Sequence, residues 1–336
     1  MCQHIAKDAA AIKAFLDALS AKATGNQRHW PCFVYHFTDI HNAVSIIHSK
    51  CLYSRNEAMR LGLMVTDNAS PGVLSHTPSE HKDYARLYWR PRTPTQYRNE
   101  GIRPAGQREL GAHCPVPVQL LFDAESALSD PATWWCDGTM AGRRQPTVSQ
   151  DVAELQSYPF DLIYHSGPIY AYDDKAEILR WRQAEIVAPT RMELLALRYL
   201  YCRSEPEREL FFELLAPKLE PEWRERVLVD RGLDLFERKW SYAESVSKGE
   251  KEFTLRWNSG SWTPGPFHVS VAFTIPGTAS PWSWEKADYD CSVPITMNVS
   301  NIPHRGVYSV AVTLDGAVAY RGTYRRTIER AQIIRP

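Results

Sequence analysis

Three parts of this chain hold side chains suited to chemistry on a dinucleotide. Glu177 lies in IYAYDDKAEILRWRQAEIVAP, residues 169–189. A carboxylate in an otherwise apolar strand can bond a ribose hydroxyl and stabilise positive charge growing at an anomeric carbon. Glu185, in QAEIVAP, stands in a near-duplicate context and competes for that role. His36 sits in the short apolar run FVYHFT and reads as a donor to a ribose hydroxyl. Between them, residues 86–108 hold Arg86, Arg90, Arg92, Arg98, Arg103 and Arg108, opposed only by Glu100. Tyr88, Trp89 and Tyr97 are interleaved, and no lysine occurs there. Arginine forks bind phosphates bidentately, and aromatic faces stack unpaired bases. Blander roles compete at each place: a solvated carboxylate, a core histidine, an ion-paired loop.

The bulk properties narrow the field. A length of 336 residues predicts two domains. Zero formal net charge offers no global field for nucleic acid or membrane, so such affinity must come from a local patch. No apolar run is long enough to span a bilayer. Ile5, Ala9, Ile12, Phe15, Leu16 and Leu19 instead share one helical face. Seven scattered cysteines with no CxxC pair argue against a zinc module and a disulfide framework, and fit a reducing cytoplasm. The sequence has no GxGxxG, Walker, HExxH or GxSxG motif.

The elements that must position these residues follow from periodicity. Residues 32–38 read as a buried strand, with a helix after it capped by Thr38 or Asp39. Arg55–Leu61 reads as a helix, 84–89 as a strand, and 91–113 as a long loop. Residues 160–165 read as a strand. So do 177–181 and 184–188, as two strands or one bent strand. A helix begins near Ser204-Glu205-Pro206. After about residue 245 the period becomes two, and Asp315-Gly316 marks a hairpin. The expected division is 1–245 and 246–336, with residues 245–251 as linker. The second unit is an independently folding β-sandwich for recognition or partner docking.

The pattern as a whole resembles DarT-type ADP-ribosyltransferase toxins. VYHFTDIHNAVSIIHSKCLYSRNEA resembles their opening strand and helix, DYARLYWRPRTPTQYRNEGIRP their arginine–aromatic block, and DDKAEILRWRQAEIVAP their late glutamate strand. The resemblance covers about residues 30–190. It implies an α+β fold, with a split β-sheet core of the ADP-ribosyltransferase kind and helices, followed here by an all-β immunoglobulin-like sandwich. It implies transfer of ADP-ribose from NAD, as substrate and without a metal, onto a nucleobase of single-stranded DNA. Guanine is favoured over thymine, and RNA is an alternative acceptor. It further implies a toxin–antitoxin or antiviral-defence role in the cytoplasm, with an antitoxin protein as partner and no membrane. By motif position Glu177 is the catalytic glutamate. His36 and Thr38 contact NAD, Arg55 takes its phosphates with Arg86 and Arg92 as competitors, and Tyr97 lies near the nicotinamide or the substrate base; Tyr88, Trp89, Arg98 and Arg103 hold nucleic acid. The rival readings are a protein-modifying ADP-ribosyltransferase and a non-catalytic binding module with a degenerate nucleotide fold.

Overall fold

The computed structural model describes residues 7–108, 112–141, 145–170 and 172–326. Cys2, Ile5 and residues 327–336 of the tail lie outside the described residues.

The first unit is built on a mixed sheet. Its strands are β1 (Phe33–Asp39), β3 (Tyr84–Tyr88), β4 (Pro117–Asp123), β5 (Trp134–Cys136), β6 (Val148–Ser149), β7 (Glu185–Pro189), β9 (Leu197–Cys202) and β10 (Val227–Val229). Their order is β10-β9-β4-β1-β3-β7-β5-β6. A separate ribbon pairs β2 (Cys51–Tyr53) with β8 (Arg191–Glu193). Strands β1 and β4 pair along all of β1, and β3 pairs with all of β7. Between β1 and β3, however, the only register pair is Tyr35 opposite Tyr88. The sheet splits there.

Local chemistry sets the elements around the split. Asp39 ends β1 and caps helix Ile40–Ser49, its carboxylate accepting from the His41 amide at 3.0 Å. Lys50 closes that helix in the left-handed region, at φ 56°. Ile40, Ala43, Val44 and Ile47 form its buried stripe. They join a core with Leu87, Val118, Leu120, Phe122 and Trp135.

Several expectations are corrected. Residues 177–181 are not a strand. They belong to helix Lys175–Trp181, where Ile178 and Trp181 are buried three apart. Glu177 accepts from Arg180 Nη2 at 2.6 Å and from Trp181 Nε1 at 2.8 Å, contacts that only helical spacing allows. Phe160–Ile163 is likewise a short helix. The 91–113 segment is no featureless loop. Thr93 caps helix Pro94–Asn99, and Gln96, Asn99, Glu100 and Arg103 are buried.

The tail is a β-sandwich. One sheet has the order β11-β12-β15, from Ala243–Lys248, Glu252–Trp257 and Ile295–Asn298. The other has the order β14-β13-β16-β17, from Trp282–Tyr289, Phe267–Thr274, Val307–Leu314 and Ala317–Arg325. Val269, Val271 and Phe273 alternate inward, as the period of two requires. Asp315 and Gly316 both take positive φ, 47° and 77°, and turn β16 into β17 as a two-residue hairpin. The expected boundary at residue 245 cuts through β11, and the expected linker is mostly strand.

The two units share buried ground. Ile102, from the first unit, packs in the sandwich core, and Val318, from the second, packs on the first core. Helix Glu205–Leu214 runs along the junction. Its Glu209 accepts from Tyr320 Oη at 2.7 Å and pairs with Lys248. Arg203 is fully buried between Glu207 and Glu100, over the Tyr242 ring.

Candidate functional site

Where β1 and β3 part, a cavity of about 390 Å³ opens. That is the size range of small-molecule sites. Its walls carry His36 and Thr38 from β1, Arg55, and Tyr84, Arg86 and Tyr88 from β3. Helix Pro94–Asn99 adds Thr95, Arg98 and Asn99, and the 137–141 turn adds Thr139. Six of the residues picked from sequence therefore meet in one place: His36, Thr38, Arg55, Arg86, Tyr88 and Arg98.

His36 bridges the split. Its Nδ1 lies 3.0 Å from the Arg86 carbonyl oxygen. A carbonyl only accepts, so Nδ1 carries the proton and Nε2 is an acceptor. Burial lowers the His36 pKa to about 4 despite the Arg86 carbonyl, so the ring is neutral near pH 7. The expected polarity is thus reversed: the free ring nitrogen, Nε2, can accept a hydrogen bond but not donate one.

The arginines are held differently. Arg55 makes a fork to Asp67, with one contact at 2.7 Å, at the cavity wall. Arg86 donates to the His81 carbonyl at 2.6 Å, and its Nη1 lies 3.8 Å from Glu185. Arg98 is exposed at the cavity and makes no ion pair among the described residues.

Glu185 stands behind this cavity, against its lining residues Arg86, Tyr88 and Thr139. It begins β7 directly opposite Tyr88 of β3, so the two side chains share a sheet face. The Glu185 side chain is fully buried, and it accepts from Thr139 Oγ1 and from the Met140 amide, both at 2.9 Å. Burial first, and the Glu185 charge second, push the Tyr88 phenol well up, so Tyr88 remains a donor.

Other expected residues lie elsewhere. Glu177 is not part of the cavity wall; its carboxylate is engaged by Arg180 and Trp181 on its own helix. Trp89 is 1% exposed and packs edge-on to Phe160 in the core, so it offers no face to a base. Arg103 is also 1% exposed, with its guanidinium 4.5 Å over the Trp240 ring. Both are therefore withdrawn from the nucleic-acid set. Arg92 lies off the cavity, paired with Asp234 and Glu237. Tyr97 is exposed, with Lys239 Nζ 2.9 Å from its ring centre. The sequence reading did not pick out Thr139, Asn42 or Asn99. Thr139 is on an irregular turn, and Asn42 and Asn99 are lone polar residues within helices, so no apolar periodicity marks them.

The family model described as "ssDNA thymidine ADP-ribosyltransferase, DarT" matches residues 35–233. No curated protein matches the chain. Solved structures similar to it include Thermus sp. 2.9 DarT in complex with ADP-ribosylated ssDNA, at 18% identity and TM-score 0.49. That match covers 61% of this chain and 96% of the other. The same protein in complex with NAD+ matches at 18% identity and TM-score 0.46, over 60% of this chain and 97% of that one. Thermosipho africanus DarTG in complex with ADP-ribose matches at 14% identity and TM-score 0.46, over 64% of this chain and 53% of the other.

Proposed function

The chain belongs to the DarT family, ADP-ribosyltransferases that act on NAD+ and single-stranded DNA, and from that premise we propose that the cavity at the sheet split binds NAD+ and that Glu185 is its catalytic carboxylate. The observation that carries this reading is the placement of Glu185, on a sheet strand one side chain behind the cavity wall, between Tyr88, Arg86 and Thr139.

Each residue then has a chemical task. Neutral His36 accepts from a ribose hydroxyl through Nε2. Thr38 gives a second polar contact on β1. Arg55 and Arg98 supply positive charge for the pyrophosphate. The Thr139 hydroxyl yields its bond to Glu185 as the ribose hydroxyls arrive. Glu185 then stabilises the positive charge that grows on the ribose as nicotinamide departs. It also takes the proton from the attacking base nitrogen. Glu177, expected from its sequence context to play this part, sits on a helix whose own side chains occupy it.

The acceptor base, on this reading, is guanine. Its support is the likeness of PTQYRNEGIRP to the guanine-modifying branch, whereas the family description names thymidine. We read the tail as immunoglobulin-like. Its first, second and fifth strands form one sheet and its third, fourth, sixth and seventh the other; the constant-type arrangement differs only in placing the fourth strand with the first group. We read the chain as the toxin of a toxin–antitoxin or defence pair, at work in the cytoplasm. Free thiols on all six described cysteines fit a reducing compartment.

The test is incubation with labelled NAD+ and single-stranded DNA, RNA or protein extract, followed by mass spectrometry. Label on a DNA base supports the reading, and Glu185→Gln should reduce it roughly 10²–10³-fold. Label on protein alone overturns it. Label on thymine in place of guanine corrects the base and leaves the rest standing.

A further inference from the structure

Beside the cavity lies a cluster that the family match reaches only in part: Tyr97 falls inside the matched residues, whereas Lys239 and Trp262 lie beyond their end at 233. Tyr97 stands on the short helix that gives Pro94, Thr95, Arg98 and Asn99 to the cavity wall. Tyr97 is 43% exposed. Trp262, in the turn between β12 and β13 of the sandwich, is 62% exposed. Lys239 joins them, its Nζ 2.9 Å from the Tyr97 ring centre and 4.8 Å from that of Trp262.

This arrangement is built. The Trp262 amide donates to the Lys239 carbonyl at 2.7 Å, and Ser241 and Ser261 hydroxyls meet at 3.0 Å alongside. Trp240 packs edge-on to Trp262 with ring centres 5.7 Å apart. Burial, with Arg92 nearby, lowers the Lys239 pKa to about 8, so it remains largely charged at pH 7 while held among rings. The Lys239 side chain is 15% exposed and lies 3.5 Å from Glu237, which it shares with Arg92, so a phosphate would compete with that carboxylate for the ammonium; Asp234 is taken by Arg92.

Exposed aromatics beside a fixed cation are what an unpaired nucleic-acid strand uses, because every base has a face to stack and every link a phosphate to neutralise. We propose that Tyr97, Lys239 and Trp262 form a platform on which single-stranded DNA lies as it leaves the cavity, so that the sandwich supplies part of the substrate site. This deepens the reading of the cavity as a DNA-modifying site and rests on it.

The test measures binding and ADP-ribose transfer with the full chain, using one oligonucleotide of about 4 nucleotides and one of about 16. Trp262→Ala should weaken binding of the long strand roughly ten- to a hundred-fold and leave the short one unchanged. Trp262→Phe, which keeps a stacking face, should recover most of that loss. Lys239→Gln should reduce the slope of log affinity against log salt by about one for the long strand. Trp282→Ala, which removes an exposed tryptophan elsewhere on the sandwich, should bind both strands as the wild type does. If the wild type modifies both strands and Trp262→Ala binds the long one equally well, the platform is overturned and the cavity reading stands. If the wild type neither binds nor modifies either strand, both fall.

Discussion

At the residue scale the two glutamates of the late segment separate cleanly. Glu185 accepts two hydrogen bonds behind the cavity wall, whereas Glu177 ties down Arg180 and Trp181 on a helix surface. Glu177→Gln should therefore leave transfer near the wild-type rate. It should cost about 1 kcal/mol of stability or less, since its side chain is 45% exposed. Loss of transfer in a folded Glu177→Gln protein would return the role to Glu177. His36 and His113 make a second expectation. Burial holds both imidazoles at a pKa of about 4, below the ordinary 6.5. Each contributes stability that is present above pH 6.5 and is lost as pH falls toward 4, because the unfolded chain then binds protons that the folded one refuses. Urea unfolding of the wild type should show that decline. A His36→Gln, His113→Gln double variant should show less of it, and an unchanged decline would assign the effect to other groups.

At the element scale the arginine–aromatic segment divides into buried and exposed halves. Trp89 is a core side chain, so Trp89→Ala should destabilise the fold by about 3–5 kcal/mol, read as a fall in the urea midpoint. Tyr97→Ala should leave stability nearly intact. Equal losses for the two would contradict the burial difference. This segment also shows what the sequence made legible. FVYHFT announced a strand as a short apolar run buried on both faces, and the alternating tail residues did so because each tail strand has one face to bury. The Asp315-Gly316 turn was evident because only certain residues accept positive φ there. Arg103 was expected to hold nucleic acid, and Glu100 stood out only as the one charge opposing the arginines, yet both are buried. Glu100 accepts from the amides of Glu237 and Arg238, and Arg103 lies over Trp240; all three partners are more than 130 positions away. No local window contains them. KAEILRW was misread for a related reason: a short amphipathic helix and a short strand both show a few apolar residues beside charges, and length could not arbitrate.

At the scale of the whole molecule the junction decides behaviour. The tail was expected to fold alone. In the structure Ile102 lies in the sandwich core, Arg203 is fully buried beside Glu100 and Glu207, and Ser204 Oγ donates to the Ala243 carbonyl at 2.6 Å. The full chain should therefore melt in one calorimetric transition, whereas two resolved transitions would restore the picture of independent units. A chain ending at residue 242 should be poorly soluble or should unfold at a much lower temperature, because the cut uncovers Ile102.

The position of Ile102 also bears on engineering. A unit whose interior is finished by a residue from its neighbour cannot be traded like a cassette. Grafting this sandwich onto another DarT-like protein would leave a hole in its middle unless the stretch around Ile102 travelled with it. A foreign sandwich placed here would in turn meet an isoleucine with nowhere to go.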